Sequence, residues 1–253
     1  ERCRNCHSPL QEQVEEVRRS PHLKLAHEGV NCIACHVRDG VVQSSSKSGD
    51  SYHPFVKNEF LKSPQFCAGC HQFNVNQIQN GKVSLTPANA QSTYTEWQEY
   101  RARGGEKTCQ QCHMPEGRHL FQGAHAAVKS PLHVQMLERG AETELTLSAP
   151  GVGHNYPSGD VFRRITVEVR RNAKEAFRVL HTFGRQYGLD PEFKLLFNST
   201  LKPKSSFTLR VPLPRPFELR VLYHFMKDEE KTHSLTQPAD QQRLLYQARI
   251  GVP

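Results

Sequence analysis

Cys3-Arg4-Asn5-Cys6-His7, Cys32-Ile33-Ala34-Cys35-His36, Cys67-Ala68-Gly69-Cys70-His71 and Cys109-Gln110-Gln111-Cys112-His113 are four copies of one pentapeptide. Together they use all eight cysteines of the 253-residue chain. Cys-x-x-Cys-His is the attachment pattern of a c-type haem. Its spacing has a chemical reason: two thiols three residues apart add across the two vinyl groups of one porphyrin, and the adjacent histidine ligates the iron from below. Paired cysteines also build zinc sites and redox dithiols. Zinc would not require a histidine after every second cysteine, and all four copies have one. A disulfide across so tight a spacing would be strained and would restrain little chain. The expected cofactors are therefore four haems c, held by Cys3, Cys6, Cys32, Cys35, Cys67, Cys70, Cys109 and Cys112, with His7, His36, His71 and His113 as proximal ligands.

The rest of the composition fits that expectation. Hydrophobic residues make up only 36% of the chain, and the shortage lies mainly in the first half, where porphyrins would supply apolar surface. The formal charge of +8 falls to about +4 once four ferric haems, at roughly −1 each, are counted. Many of the 33 Lys and Arg residues are expected to pair with haem propionates, a geometry that suits Arg. No nucleic-acid partner is expected, because no base-recognition motif is visible. There is no transmembrane segment, since no apolar run is long enough to span a bilayer. Haem is attached to such motifs outside the cytoplasm, so the protein is expected to be exported, periplasmic or extracellular, and numbered from a processed N-terminus.

Helices are expected over Leu10 to Ser20, Lys57 to Leu61 and Tyr94 to Arg103. Exposed loops are expected from Arg38 to Asp50 and from Gly81 to Gln91. Trp97 suits either a porphyrin face or ordinary core. Beyond Arg139 the pattern changes to period-two alternation: Ile165, Val167 and Val169; Phe207, Leu209 and Val211; Phe217 through Phe225. Thr143 to Ala149 and Phe177 to Phe183 are further strands, and Pro212 to Pro216 is a turn. Asp240 to Ile250 reads as a closing helix. The fold class is α+β: a haem-packed N-terminal domain of irregular chain and short helices, residues 1–138, then a small antiparallel β-sandwich-like domain, residues 139–253.

The chain has 14 histidines and three methionines. Four of the histidines are proximal, and Met114 follows His113 too closely to cross the same haem, so bis-histidine ligation is expected, with the low potentials it brings. The favoured distal candidates are His22, His53, His119, His125 and His154, with His27 and His133 in reserve. His154 stands in Gly153-His154-Asn155-Tyr156-Pro157-Ser158-Gly159-Asp160, too elaborate a turn for a plain hairpin; its plainer reading is a histidine capping a loop. His181 reads as a satisfied core residue, and His224 and His233 as solvated.

Gly29-Val30-Asn31-Cys32-Ile33-Ala34-Cys35-His36-Val37-Arg38-Asp39-Gly40, the third and fourth motifs with their following residues, and Gly153 to Gly159 together resemble exported multihaem cytochromes related to the tetrahaem electron carrier of ammonia oxidation. The resemblance covers most of the chain. It implies bis-histidine haems in closely stacked pairs that pass electrons between larger redox proteins. His53, His119, His125 and His154 match recurring positions; His22 matches less closely, and Ser158 replaces the usual threonine. Size and haem number are also similar to subunits of extracellular cytochrome filaments (nanowires).

Three roles follow. The first is an electron carrier, either a soluble shuttle or a filament-forming homo-oligomer in which a histidine could be donated across subunits. It is favoured over the second, a reductase with one open haem, because every motif is complete and histidines are in excess. The third is an adhesive or structural role for the β-rich half. With little chain before Cys3, the first haem is expected at an edge of the subunit, where a partner would cover it.

Overall fold

The computed structural model describes residues 6–19, 28–46, 54–79, 82–121, 130–188, 194–226 and 241–251. By internal packing the chain forms two compact units, Glu1–Cys70 and His71–Pro253. The division falls inside the third motif, and strand structure on the C-terminal side already begins at His133.

In the first unit, helix α1 (Gln11–Arg19) occupies the helical stretch expected from Leu10. It is fixed by Gln13, which is fully buried: its Nε2 donates to the Gly29 carbonyl at 2.8 Å, and its Oε1 accepts from Leu10 N at 3.1 Å. The second motif forms the single helical turn α2 (Cys32–His36), capped by Asn31, whose side chain accepts from Ala34 N. The loop expected from Arg38 is instead a hairpin, β1 (Val37–Arg38) with β2 (Val41–Ser44). Asp39 and Gly40, both at positive φ, make its two-residue turn, for which Asp-Gly is a favoured pair. Strand β3 (Phe55–Lys57) adds in parallel to β2. A 3₁₀ turn (Glu59–Lys62) stands where a helix from Lys57 was expected. Among the described residues of this unit, the buried side chains are Gln13 and Pro64.

The third motif ends α3 (Pro64–His71), which starts on a proline at the position where helices tolerate one. The second unit then opens with a hairpin, β4 (Gln72–Gln79) and β5 (Lys82–Ser92). It overturns the loop expected over Gly81 to Gln91. Helix α4 (Thr93–Ala102) agrees with expectation and stops at Gly104, which takes a positive φ. Trp97 is half-buried; it stacks on Tyr94, with centroids 5.6 Å apart, and donates to the Lys107 carbonyl at 3.0 Å. The fourth motif forms α5 (Cys109–His113), set by a reciprocal capping box between Thr108 and Gln111.

The remainder is a β-sandwich. One sheet runs β10 (Lys194–Asn198), β9 (Arg178–Gly188), β8 (Arg164–Arg170), β12 (Phe217–His224), β13 (Gln242–Ile250); the other runs β11 (Ser206–Val211), β7 (Glu142–Ser148), β6 (His133–Arg139). All neighbouring pairs are antiparallel. The alternation read from the sequence is the packing pattern: Leu145 and Leu147, Ile165, Val167 and Val169, and Phe217, Leu219, Val221 and Tyr223 all point into one core. Each such aliphatic side chain contributes about 1.5–3 kcal/mol by leaving water. The closing helix expected from Asp240 is instead β13, an edge strand paired along β12. Its Leu, Gln, Ala and Arg residues favour helix intrinsically, but ladder bonds to β12 and burial of Ile250 outweigh that preference.

The opposite face of the large sheet is also buried, and it is polar. Thr166 donates to Glu168 Oε1 at 2.7 Å and shares a 2.9 Å bond with His224 Nε2. Arg220 Nε donates to Glu168 Oε2 at 2.7 Å. The Phe177 ring lies between Arg220 and Arg170, at 3.9 and 4.4 Å. His224, expected in solvent, is therefore a buried member of this network. His181 lies against Phe183 and Phe207, at 4.5 and 4.4 Å between centroids. Its Nε2 has no hydrogen-bond partner among the described residues, so it is an aromatic-cluster residue left unsatisfied.

Candidate haem-ligating site

A helical turn brings residues i, i+3 and i+4 to one face. The described turns α2, α3 and α5 therefore present both cysteines and the histidine of their motifs on one side. This local geometry meets the demand of a porphyrin tethered at two points with an imidazole beneath its iron. Asn31, Pro64 and Thr108 begin these turns just ahead of the motifs. Cys3, and with it the first complete motif, lies outside the described residues. Val30 and Ile33, beside and within the second motif, are 60% and 49% exposed, apolar surface of the kind a flat apolar ring covers.

The ring nitrogens fit the same role. His36 Nδ1 lies 2.8 Å from the Gln43 carbonyl on β2. His154 Nδ1 lies 2.7 Å from the Asn155 carbonyl. A carbonyl only accepts, so Nδ1 carries the proton in both, and Nε2 is left with its lone pair. Metal-ligating histidines are ordinarily held in this way.

Within the second unit, His71, His113 and His154 come together. The His113 and His154 rings are nearly parallel, 9° apart, with centroids 6.3 Å from each other. That is too far for stacking contact. It matches two imidazoles facing one metal from opposite sides: about 2 Å from each nitrogen to the metal, plus about 1.1 Å from nitrogen to ring centre, gives about 6 Å between centres. Desolvation pushes the His154 imidazole below its ordinary range; the Asn155 carbonyl and the Glu96 carboxylate oppose this, and His113 and His71 add to it. Desolvation likewise lowers His71, against an interaction with the Gln91 side chain and with the help of His113. In the first unit, burial raises the Cys35 thiol; Arg38 opposes this, while Cys70 and Cys32 reinforce it. The second and third motifs are thus neighbours there.

Of the other distal candidates, His119 is exposed, and its ring meets the edge of Phe121 at 5.9 Å between centroids. His133 is the exposed first residue of β6. Met136 packs against the sandwich core. His22, His53 and His125, with His27, lie outside the described residues.

The groups that hold the His154 loop carry no local sequence signal. Glu96, on α4, accepts from Ser158 Oγ at 2.5 Å and from Asn155 N at 3.3 Å. Arg185, on β9, donates to Ser92 Oγ at 3.0 Å and to the Gly159 carbonyl. The loop is further pinned by Asn155 Nδ2 to Thr200 Oγ1 at 3.0 Å and by the two-way bridge of Tyr156 with Leu201. Ser158, the departure from threonine, keeps the hydroxyl that this network uses.

The fold is similar to that of one solved penta-haem cytochrome. A penta-haem cytochrome c552 from Thermochromatium tepidum superposes with a TM-score of 0.70 over 98% of this chain and 83% of that one, at 15% sequence identity. No protein-family model and no curated protein sequence matches the chain. Among the described residues, no helix is long and apolar enough to cross a membrane.

Proposed function

We propose that the protein carries electrons through four covalently attached haems c, one for each Cys-x-x-Cys-His motif. The observation that carries this is the His113–His154 pair. Two parallel imidazoles at the separation of an axial pair, one belonging to an attachment motif, have no simpler use. His113 is the proximal ligand of the fourth haem and His154 its distal ligand. Haem supplies one-electron chemistry at iron; the protein tethers it, fixes its axial nitrogens and keeps neighbouring irons close. Support for close spacing comes from the nearness of Cys35 to Cys70 and of His71 to His113 and His154. Among the described residues of the first unit, Pro64 is the one buried apolar side chain, which also fits a segment organised around porphyrins.

A reductase would need an iron with an exchangeable distal position, and the His154 pairing argues against one at the fourth motif. On this reading the partners are redox proteins outside the cytoplasm. End-to-end association into a filament extends the reading, from likeness in size and haem number to filament subunits. Electron microscopy of native extracellular material tests it, and a monodisperse monomer with every iron six-coordinate would overturn it.

His154→Ala in the haem-loaded protein tests the central assignment. One haem of four should turn high-spin and bind one equivalent of added cyanide, with all four still covalently attached. An unchanged low-spin spectrum would show that His154 is only a loop residue.

A further inference from the structure

Glu96 is a carboxylate that the fold keeps at 3% exposure and surrounds with three donors: Ser92 Oγ at 2.9 Å, Ser158 Oγ at 2.5 Å and Asn155 N at 3.3 Å. Among the described residues, no Lys or Arg forms an ion pair with it. The nearest link to a cation is indirect, through Ser92 to Arg185. An anion buried without a direct counter-charge is costly in a protein interior. Hydrogen bonds repay part of that cost, and a positive charge nearby would repay more. The two donors from the His154 loop flank the histidine's own carbonyl tether: Asn155 supplies its N–H to Glu96 and its C=O to His154 Nδ1. The carboxylate therefore holds the N–H of the same residue whose carbonyl orients the ring.

We propose that Glu96 is a positioning and tuning residue for the haem that His154 would ligate. It locks the loop so that His154 Nε2 faces His113. As a fixed buried negative charge, it also favours the ferric over the ferrous state of that iron, which carries one more positive charge. This rests on the reading of His154 as an axial ligand. The amide of Gln at this position would keep the shape and one acceptor while removing the charge. Asp would keep the charge and shorten the reach.

The test is spectropotentiometric titration of the full haem-loaded chain in three variants. Glu96→Gln should stay low-spin, with one of the four haems becoming easier to reduce. The expected shift is about tenfold in its reduction equilibrium, which is 59 mV for one electron. Glu96→Asp should leave that midpoint close to wild type, while part of the same haem turns high-spin as the loop loosens. His154→Ala identifies which haem is concerned. If Glu96→Gln leaves all four midpoints unchanged while His154→Ala still turns one haem high-spin, Glu96 is only structural and the inference falls alone. If His154→Ala stays low-spin, the ligation reading falls and takes the inference with it. Should Glu96→Gln not load haem, Ser158→Ala removes a neutralising donor and keeps the charge. The same haem should then become harder to reduce, and no shift, or the opposite one, overturns the proposal.

Discussion

Replacing Glu168 with alanine removes the centre of the polar network on the outer face of the large sheet. Glu168 is 7% exposed and receives two hydrogen bonds, at 2.7 Å from Arg220 Nε and 2.7 Å from Thr166 Oγ1. A bond to a charged partner is worth about 1.5–3 kcal/mol. The Arg220 side chain is 34% exposed, so water would compensate it, and its share drops to about 1 kcal/mol. Thr166 is buried, and its hydroxyl would exchange a charged acceptor for the His224 Nε2 contact, at about 1–2 kcal/mol. The sum is about 2–3 kcal/mol, or about 5–10 °C in midpoint for a unit of this size. Thermal unfolding of the haem-loaded protein, followed by far-UV circular dichroism, reads it directly. Glu168→Gln should lose about half as much, because the amide oxygen still accepts one bond. A double-mutant cycle with Arg220→Leu should give a coupling of about 1 kcal/mol. An alanine variant within about 0.5 kcal/mol of wild type, the scatter of neutral surface changes, would refute the reasoning: the network would then be tolerated rather than stabilising.

Gly105→Ala would bring a methyl group within 2.3 Å of the Tyr100 ring, which also lies 3.5 Å from where a Cβ on Gly153 would sit. Overpacking should cost about 1–3 kcal/mol and shift the spectrum of the haem beside His154; equal stability and spectrum would mean that Tyr100 simply swings away. Burial holds the His181 imidazole below its ordinary value. The unfolded chain therefore takes the proton first, and stability, complete above about pH 6.5, should fall as pH drops from there towards the lowered folded value. His181→Phe should flatten that decline in urea midpoints; an identical slope would clear His181 of any part in it.

The legible parts of this molecule were those whose chemistry or packing is written in neighbouring residues. Covalent haem attachment needs its cysteines and histidine on one turn, so the motifs declare themselves. Strands covered on one face alternate, as from Ile165 to Val169 and from Phe217 to Tyr223. The His154 loop stands out in the sequence because it gathers glycine, proline, asparagine and serine. The errors came where pairing decides the structure. The Val37–Ser44 hairpin was signalled by Asp39-Gly40 but masked by the serines that follow. In β5 the large apolar residues Val83 and Leu85 are 64% and 61% exposed while the buried positions are the small Thr86 and Ala88, so hydrophobicity does not mark the strand. β13 has helix-forming residues and becomes a strand only because β12 offers it a ladder. Glu96 and Arg185 reach the His154 loop across wide stretches of chain, and nothing near them in sequence announces a partner.

His154 belongs to the link between two strands of the sandwich, yet its ring faces a histidine of the last attachment motif. The β-rich half is thus more than a passenger that recombination could exchange for another module. On the axial-pair reading, a truncation near residue 140 would discard the imidazole opposite His113 and leave one iron open to small ligands, with the attachment motifs intact. Gene fusions that kept the four motifs and replaced the sandwich would inherit a different chemistry, so the two halves are expected to have diverged as a single heritable unit.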